Sequence, residues 1–272
     1  MGCFSVWHQT TTELEIQNCT SHIHDQCEFL YMQQGEADMQ VGEKTYHLCP
    51  GHLLVISRLE FHELTPTRFP YTRIGLNVDY NGLNRIGIPP YLTSVMMSHG
   101  EDCCHLFDLR ECSRARRLLE EICLEKVESQ SNKQEMMGTL FHALLLHLYR
   151  LHPEWFNAIS GDTLMEEARQ YITNHFADFS SVQQLAANYY LTPSHFILRF
   201  KKHTGYTPQK YRNLCRMAHA RHLLMKDDIS LSEIAEQCGF SDLNGFVRCF
   251  RETMNITPGR FRTLSKSKNI ES

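Results

Sequence analysis

The sequence predicts a two-domain α+β protein, with a barrel- or sandwich-like β half followed by an all-helical half that carries two helix-turn-helix units. Three observations predict this. Between His22 and about Asp79, short alternating segments are broken by turn signals, the pattern of strands in a small barrel or sandwich. From Glu111 to Leu151 apolar residues fall at helical spacing instead. Beyond residue 162 one pattern of capped helix, turn and capped helix occurs twice, about 50 residues apart.

Composition narrows the class. A chain of 272 residues suits about two domains, and 42% hydrophobic residues suffice for packed cores. No stretch approaches the ~20 apolar residues that span a bilayer. The N-terminus lacks the basic and then apolar pattern of a secretory signal, so a cytoplasmic location is expected. The eleven cysteines are odd in number and lack CxxC spacing, and they read as reduced thiols. Their one dense cluster, Cys103-Cys104-His105, reads as a mixed loop before a helix. The net charge of −4 is divided unevenly: residues 1–161 hold 12 basic and 20 acidic side chains, and residues 162–272 hold 15 and 11. No acidic residue stands between Asp178 and Asp227, where Arg199, Lys201, Lys202, Lys210, Arg212, Arg216, Arg221 and Lys226 lie. Such an interval suits a phosphate-contacting surface.

In chain order, residues 1–21 are weakly patterned and fit an N-terminal arm or a first edge strand. Glu28–Gln33 reads as a strand ending at Gly35, and Glu36–Val41 alternates, with Ala37, Met39 and Val41 on one face. Gly42-Glu43 is a hairpin turn before Lys44–Leu48. After Pro50-Gly51, His52–Ser57 carries the buried-type run Leu53-Leu54-Val55-Ile56. Phe61–Thr65 and Tyr71–Val78 complete the strands. Pro89-Pro90 opens the helical part, in which Glu111–Glu128 sets Leu118, Leu119, Ile122 and Val127 among charges. Met137, Leu140, Phe141, Leu144, Leu145, Leu148 and Leu151 then form an amphipathic helix, which Pro153 ends. These two helices suit either packing on the barrel or a two-fold dimer seam. Residues 153–162 form a linker. Asp162 caps the next helix, with Leu164, Ala168, Tyr171 and Ile172 inward.

In the first repeat, Ser181 and Gln184 fit a capping box, and Leu185 with the small Ala186 forms the inner face of a short helix. Thr192 caps the second helix, Pro193 begins it, Phe196 and Phe200 anchor it and Gly205 ends it. In the second repeat Ser230 and Glu233 form the box, and Ile234-Ala235 matches Leu185-Ala186 at an offset of 49. Asp242 caps the next helix. Phe246, Phe250, Arg251, Thr257-Pro258 and Phe261-Arg262 match Phe196, Phe200, Lys201, Thr207-Pro208 and Tyr211-Arg212 at an offset of 50. The added residue falls in the turn. Pro208 to about Met225 reads as one connecting helix of roughly 25–27 Å. That length would set the two recognition helices about 34 Å apart, one turn of B-DNA.

Over residues 162–264 these motifs resemble the AraC/XylS family of bacterial transcription regulators. The resemblance rests on Ile234-Ala235, Gly239-Phe240, Phe246, Arg248, Phe250-Arg251, Thr257-Pro258 and Phe261-Arg262. The first repeat adds Leu185-Ala186, Phe200-Lys201-Lys202, Thr204-Gly205, Pro208, Arg216, Ala220 and Leu223-Leu224. It implies base-reading by Ser194, Ile197 and Leu198 in the first repeat and by Leu243, Asn244, Val247 and Arg248 in the second. Arg248 suits a guanine edge and Asn244 an adenine. Arg199, Lys201, Lys202 and Arg251 are expected on phosphates, which position without specifying. The sequence departs from the family pattern at Leu198, usually polar or basic, at Arg199, usually apolar, at Gly245, and at Asn255, usually glycine. The first repeat is therefore expected to grip DNA and the second to discriminate.

His22-Ile23-His24 with Glu28 and Gly35 has the HxHxxxExxxxxxG spacing of a cupin metal motif, and His62 lies where cupins supply a last histidine. On a strand, residues i and i+2 face one way, so His22, His24 and Glu28 could share a divalent metal. Regulatory domains of this family resemble degenerate cupins, so His22, His24, Glu28 and His62 are expected to wall an effector pocket, with no cofactor required. The expected fold is then a cupin-like β-barrel with flanking helices over residues 1–110, a helical dimerisation or packing region over 111–152, a linker over 153–162 and a DNA-binding domain over 163–264. Its helix-turn-helix motifs lie at about 182–203 and 231–252. The expected protein is not an enzyme. It binds double-stranded DNA and a small-molecule effector, by resemblance a sugar or related metabolite, acts as a homodimer with RNA polymerase, and has no membrane role. The alternative is a metal-dependent cupin enzyme or metal sensor joined to a DNA-binding domain. A DNA-alkylation repair protein would need an activated thiolate in a Pro-Cys-His-Arg type site, and Cys49-Pro50 has the reverse order.

Overall fold

The computed structural model describes residues 3–12, 23–83, 86–97, 104–125, 132–156, 162–179, 181–226 and 229–269. The chain divides into two compact units, one of residues 1–22 and 26–160 and the other of residues 23–25 and 161–272. The first is built on one antiparallel sheet of β1 (Phe4–Thr11), β2 (Cys27–Val41), β3 (Lys44–Leu48), β4 (His52–Ile56), β5 (His62–Val78) and β6 (Cys104–Asp108). The strand order is β1-β5-β2-β4-β6, and β3 adds to β2 through the hairpin at Gly42. The N-terminal segment is thus an edge strand.

β2 and β5 each run unbroken where the sequence suggested two strands. Register shifts between Met32 and Ala37 bulge β2, and Gly35 sits among them with φ +76°. A Cβ there would lie 2.5 Å from the Arg68 carbonyl oxygen, so the glycine marks a close approach to β5 rather than a strand end. Both sheet faces are buried. Cys27, Phe29, Tyr31, Leu53 and Val55 face one core, and Leu30, Met32, Leu54 and Ile56 face the other. This is why β4 reads as a continuous apolar run. The second core consists of strand residues alone and joins both halves of β2, as expected of a sheet curved onto itself.

β6 corrects the loop expected at Cys103-Cys104-His105. Cys103 lies outside the described residues, and Cys104 and His105 are on a strand paired with β4. Cys104 faces the strand core, and the His105 ring stacks on Trp155 at 5.1 Å. A short edge strand without flanking glycine or proline gives little sequence signal.

Two short helices follow β5: α1 (Tyr80–Leu83) and α2 (Pro90–Thr93), the latter opened by Pro89-Pro90. α3 (Ser113–Glu125) and α4 (Lys133–Leu151) are the long amphipathic pair. Met137, Phe141, Leu144, Leu145 and Leu148 of α4 are buried, and Phe141 meets Phe29 edge-on at 5.2 Å. The α4 stripe therefore packs on its own sheet. Val127 lies outside the described residues.

The second unit comprises α5 (Thr163–Asn174), α6 (Val182–Asn188), α7 (Pro193–Thr204), α8 (Pro208–Lys226), α9 (Leu231–Gln237), α10 (Leu243–Met254) and α11 (Pro258–Asn269). Asp162 caps α5 by accepting from the Met165 N–H. The inward stripe of α5 is Met165, Ala168, Arg169 and Ile172, while Leu164 and Tyr171 are exposed. The shift from the expected stripe has a physical cause: Arg169 takes a core position. Its guanidinium bonds Glu166 at 2.6 and 2.8 Å and the Tyr211 hydroxyl at 3.3 Å. Burial opposes ionisation of Glu166, but Arg169, His203 and Gln170 outweigh it and hold the carboxyl well below the usual range.

The internal repeat extends to its buttresses. Arg212 on α8 donates to the carbonyls of Phe176 and Ala177, just before the first helix-turn-helix. Arg262 on α11, 50 residues later in sequence, donates to the Ile229 carbonyl just before the second. α8 packs against both recognition-helix pairs through α7, α9 and α10.

Candidate nucleic-acid interface and effector site

α6–α7 and α9–α10 form the two helix-turn-helix units. Ser181 caps α6 and Ser230 caps α9, the latter in a full capping box with Glu233. Thr192 and Asp242 cap the second helices. In each unit two phenylalanines one turn apart, Phe196 with Phe200 and Phe246 with Phe250, are fully buried and fix the helix's rotation. That rotation leaves the opposite face outward.

On α10 the outward face carries Leu243, Asn244, Arg248 and Arg251, all exposed, with Val247 half-buried. Asn244 and Arg248 are one turn apart and present an amide and a guanidinium side by side. On α7 Ser194 is exposed, Ile197 is half-buried and Leu198 is 69% exposed. Lys201 and Lys202 are exposed in the last turn. Exposed polar side chains therefore concentrate on the outward face of α10, and α7 presents apolar and charged ones.

The basic interval is less available than its composition implied. Arg199 is held bidentately by Asp162, with Nε at 2.7 Å and Nη2 at 2.8 Å from its carboxylate oxygens. Arg212 is bound to backbone carbonyls, and burial first, then neighbouring Arg216, draws its pKa down to about 10. Arg216 donates to the carbonyls of Phe176 and Gly239 and lies over the Phe240 ring at 4.6 Å. Partners tens of residues away absorb these charges, which a sequence window does not reveal. Thiol chemistry is disfavoured as well: burial pushes the Cys238 thiol up to about 12 and raises Cys249.

Of the expected effector residues, His22 lies outside the described residues. Glu28 and His62 are buried together where β2 and β5 begin. His62 Nδ1 donates to the Glu60 carbonyl at 3.0 Å, and Nε2 stands 3.1 Å from Glu28 Oε2. His24 belongs with residues 23–25 to the other unit. The carboxylate of Glu28 and the imidazole of His62 are donor types that suit a divalent cation. Ser57, where the sequence reading ended the strand, and the neighbouring Arg58 are buried polar residues of the same unit.

Residues 185–263 match the family model of a helix-turn-helix domain, and residues 14–145 match that of the AraC-like ligand binding domain. The chain belongs to the AraC family. A relative, the HTH-type transcriptional activator RhaS of Salmonella paratyphi B, is 36% identical over 118 residues, 43% of this chain and 42% of that protein. RhaS of Salmonella newport matches to the same extent, so the chain spans less than half the length of these curated relatives. ToxT from Vibrio cholerae O395 has the same fold at 13% identity, with a TM-score of 0.67 over 96% of this chain and 98% of that one. Unsaturated fatty acid bound ToxT from Vibrio cholerae gives 12% identity and a TM-score of 0.66 over 96% and 95%. These two likenesses concern the fold, a sheet-rich unit followed by a helical AraC-type unit. Among the described residues no helix is long and apolar enough to cross a membrane.

Proposed function

We propose that the protein is a cytoplasmic, sequence-specific DNA-binding transcription regulator, not an enzyme, whose sheet-rich unit takes a small molecule. The carrying observation is the outward face of α10, where Asn244 and Arg248 stand exposed beside Arg251 on a helix anchored by Phe246 and Phe250. Asn244 reads adenine and Arg248 guanine in one major-groove segment, while α7 occupies the next. α8, of 19 residues, spans about 28 Å, a length that suits recognition helices one helical turn apart. Lys201, Lys202 and Arg251 hold phosphates. Arg199 joins them only on leaving Asp162.

The relatives named RhaS are transcriptional activators, and one ToxT structure holds an unsaturated fatty acid. By the same logic this chain answers a small metabolite, a sugar or a related compound, at Glu28, His62 and their neighbours. It works as a homodimer and contacts RNA polymerase. The test is affinity of the full chain for candidate operator DNA as a function of salt. Each phosphate contact contributes a log–log slope of about −0.9. Binding without salt slope or sequence preference ends the proposal.

The buried pair of Glu28 and His62 favours a second reading in which the signal is a divalent metal. Metal analysis of the purified protein, with DNA affinity measured before and after chelation, separates the two. An affinity indifferent to chelation removes the metal reading.

A further inference from the structure

Arg58 leaves β4 in the connection 57–61 and is 1% exposed. Its Nε and Nη1 find no hydrogen-bond partner among the described residues, and neither does the buried hydroxyl of Ser57 beside it. A buried guanidinium without a counter-charge is among the most costly groups a fold can hold. Buried polar groups are otherwise almost always matched, so an unmatched one calls for a missing partner.

Among the described residues nothing supplies that partner. Leu59 is fully buried with φ +60°, a left-handed conformation that a branched-chain residue adopts only where its surroundings hold it. The Glu60 carbonyl is engaged by His62 Nδ1. Glu28, the buried acid at the start of β2, faces His62 Nε2 instead. Arg58 therefore sits beside a constrained backbone, and its charge is unmet among the described residues.

We infer that Arg58 and Ser57 form the oxyanion-binding part of the effector site, and that the effector carries a carboxylate or phosphate group. This rests on the reading that the sheet-rich unit binds the effector, and it narrows that effector from neutral sugars to acidic metabolites. The planar guanidinium matches two oxygens of a carboxylate or phosphate with parallel N–H donors, and the Ser57 hydroxyl donates a further bond. Binding neutralises the buried charge, so the ligand stabilises the unit in which it sits.

The experiment is thermal unfolding of the full chain in sodium acetate or inorganic phosphate, each against sodium chloride at matched ionic strength. The proteins are the wild type, Arg58→Gln and Arg58→Met. The wild type is expected to gain about 2–5 °C over chloride in at least one anion, and both variants to gain nothing. A response to acetate alone assigns a carboxylate, and one to phosphate alone a phosphate. Without added anion, Arg58→Met should melt at or above the wild-type temperature, because it removes an unmatched charge without opening a cavity. Equal anion responses in all three proteins, or none in the wild type, overturn the inference. A much lower melting temperature for Arg58→Met also overturns it, since Arg58 would then be paired within the protein. A neutral sugar that shifts the wild type and Arg58→Gln alike keeps the effector reading and removes the anion. Loss of salt-dependent DNA binding strikes the regulator reading and leaves the anion response as it was.

Discussion

Tyr190 and Gly239 occupy the same step in the turns of the two helix-turn-helix copies, and both have positive φ, +56° and +74°. Tyr190 is 97% exposed. A Cβ on Gly239 would lie 2.1 Å from the Ala177 carbonyl oxygen, because the second turn is pressed against the connection between α5 and α6. Arg216 fastens this contact by donating to both Phe176 and Gly239. The second copy thus leans on the first, whose own turn meets solvent. The difference extends to the charges. Asp162 occupies Arg199 on the first recognition helix, while Arg248 and Arg251 on the second are exposed. One sequence pattern, used twice, has given a turn that must be glycine and a turn that tolerates tyrosine.

The sharpest way to break this comparison is to exchange the turn residues. Gly239→Ala places a side chain against backbone that has no room to move and adds left-handed strain. It should cost about 3 kcal/mol or more and remove DNA binding. The reciprocal Tyr190→Gly should stay within about 1 kcal/mol of wild type, because the tyrosine ring packs in open solvent. Denaturant unfolding of the two variants checks both. Similar costs at the two positions would mean that the second turn does not bear on Ala177.

The next effect in size concerns base reading. Arg248→Ala should lose about 1–3 kcal/mol of discrimination at one base pair and relax preference there. Competition binding with single-position operator variants measures it. Lys201→Ala should act more weakly and uniformly, lowering affinity for all sequences and reducing the salt slope by about 1. A loss of preference on Lys201→Ala, or a uniform loss on Arg248→Ala, would reverse the assignment of grip to the first copy and discrimination to the second.

The caps, the paired phenylalanines, the hairpin at Gly42 and the repeat at offsets of 49 and 50 were legible because they depend on neighbours within a few residues. Other features depend on distant partners. Arg169 belongs in the core because of Tyr211, Arg199 is turned inward because of Asp162, and Arg212 closes on Phe176. Hydropathy scores each of these as a surface cation. The pairing of β6 with β4 and the passage of β2 through Gly35 are likewise long-range facts. In the effector region the sequence pointed to Glu28 and His62, which do meet, and gave no sign of Arg58. A buried charge with no partner among the described residues is what composition argues against.

The smallest effect lies at the ends of the recognition helices. Gly205 closes α7 with φ +75°, and Asn255 closes α10 with φ +54°. Both cap N–H groups bond back four residues, to Lys201 and Arg251, so the two copies end their helices in the same way with different residues. Asparagine tolerates the left-handed region better than other side chains but less well than glycine. Asn255 is exposed and its side chain is not needed to fill space. Asn255→Gly should therefore stabilise the second unit by a few tenths of a kcal/mol, because the strain removed slightly exceeds the unfolded-state freedom that glycine adds. Gly205→Asn should lose a similar amount. Thermal unfolding of the pair measures the difference directly. If Asn255→Gly instead destabilises by more than about 1 kcal/mol, the asparagine side chain makes a contact that its glycine counterpart cannot, and the two helix ends are not equivalent.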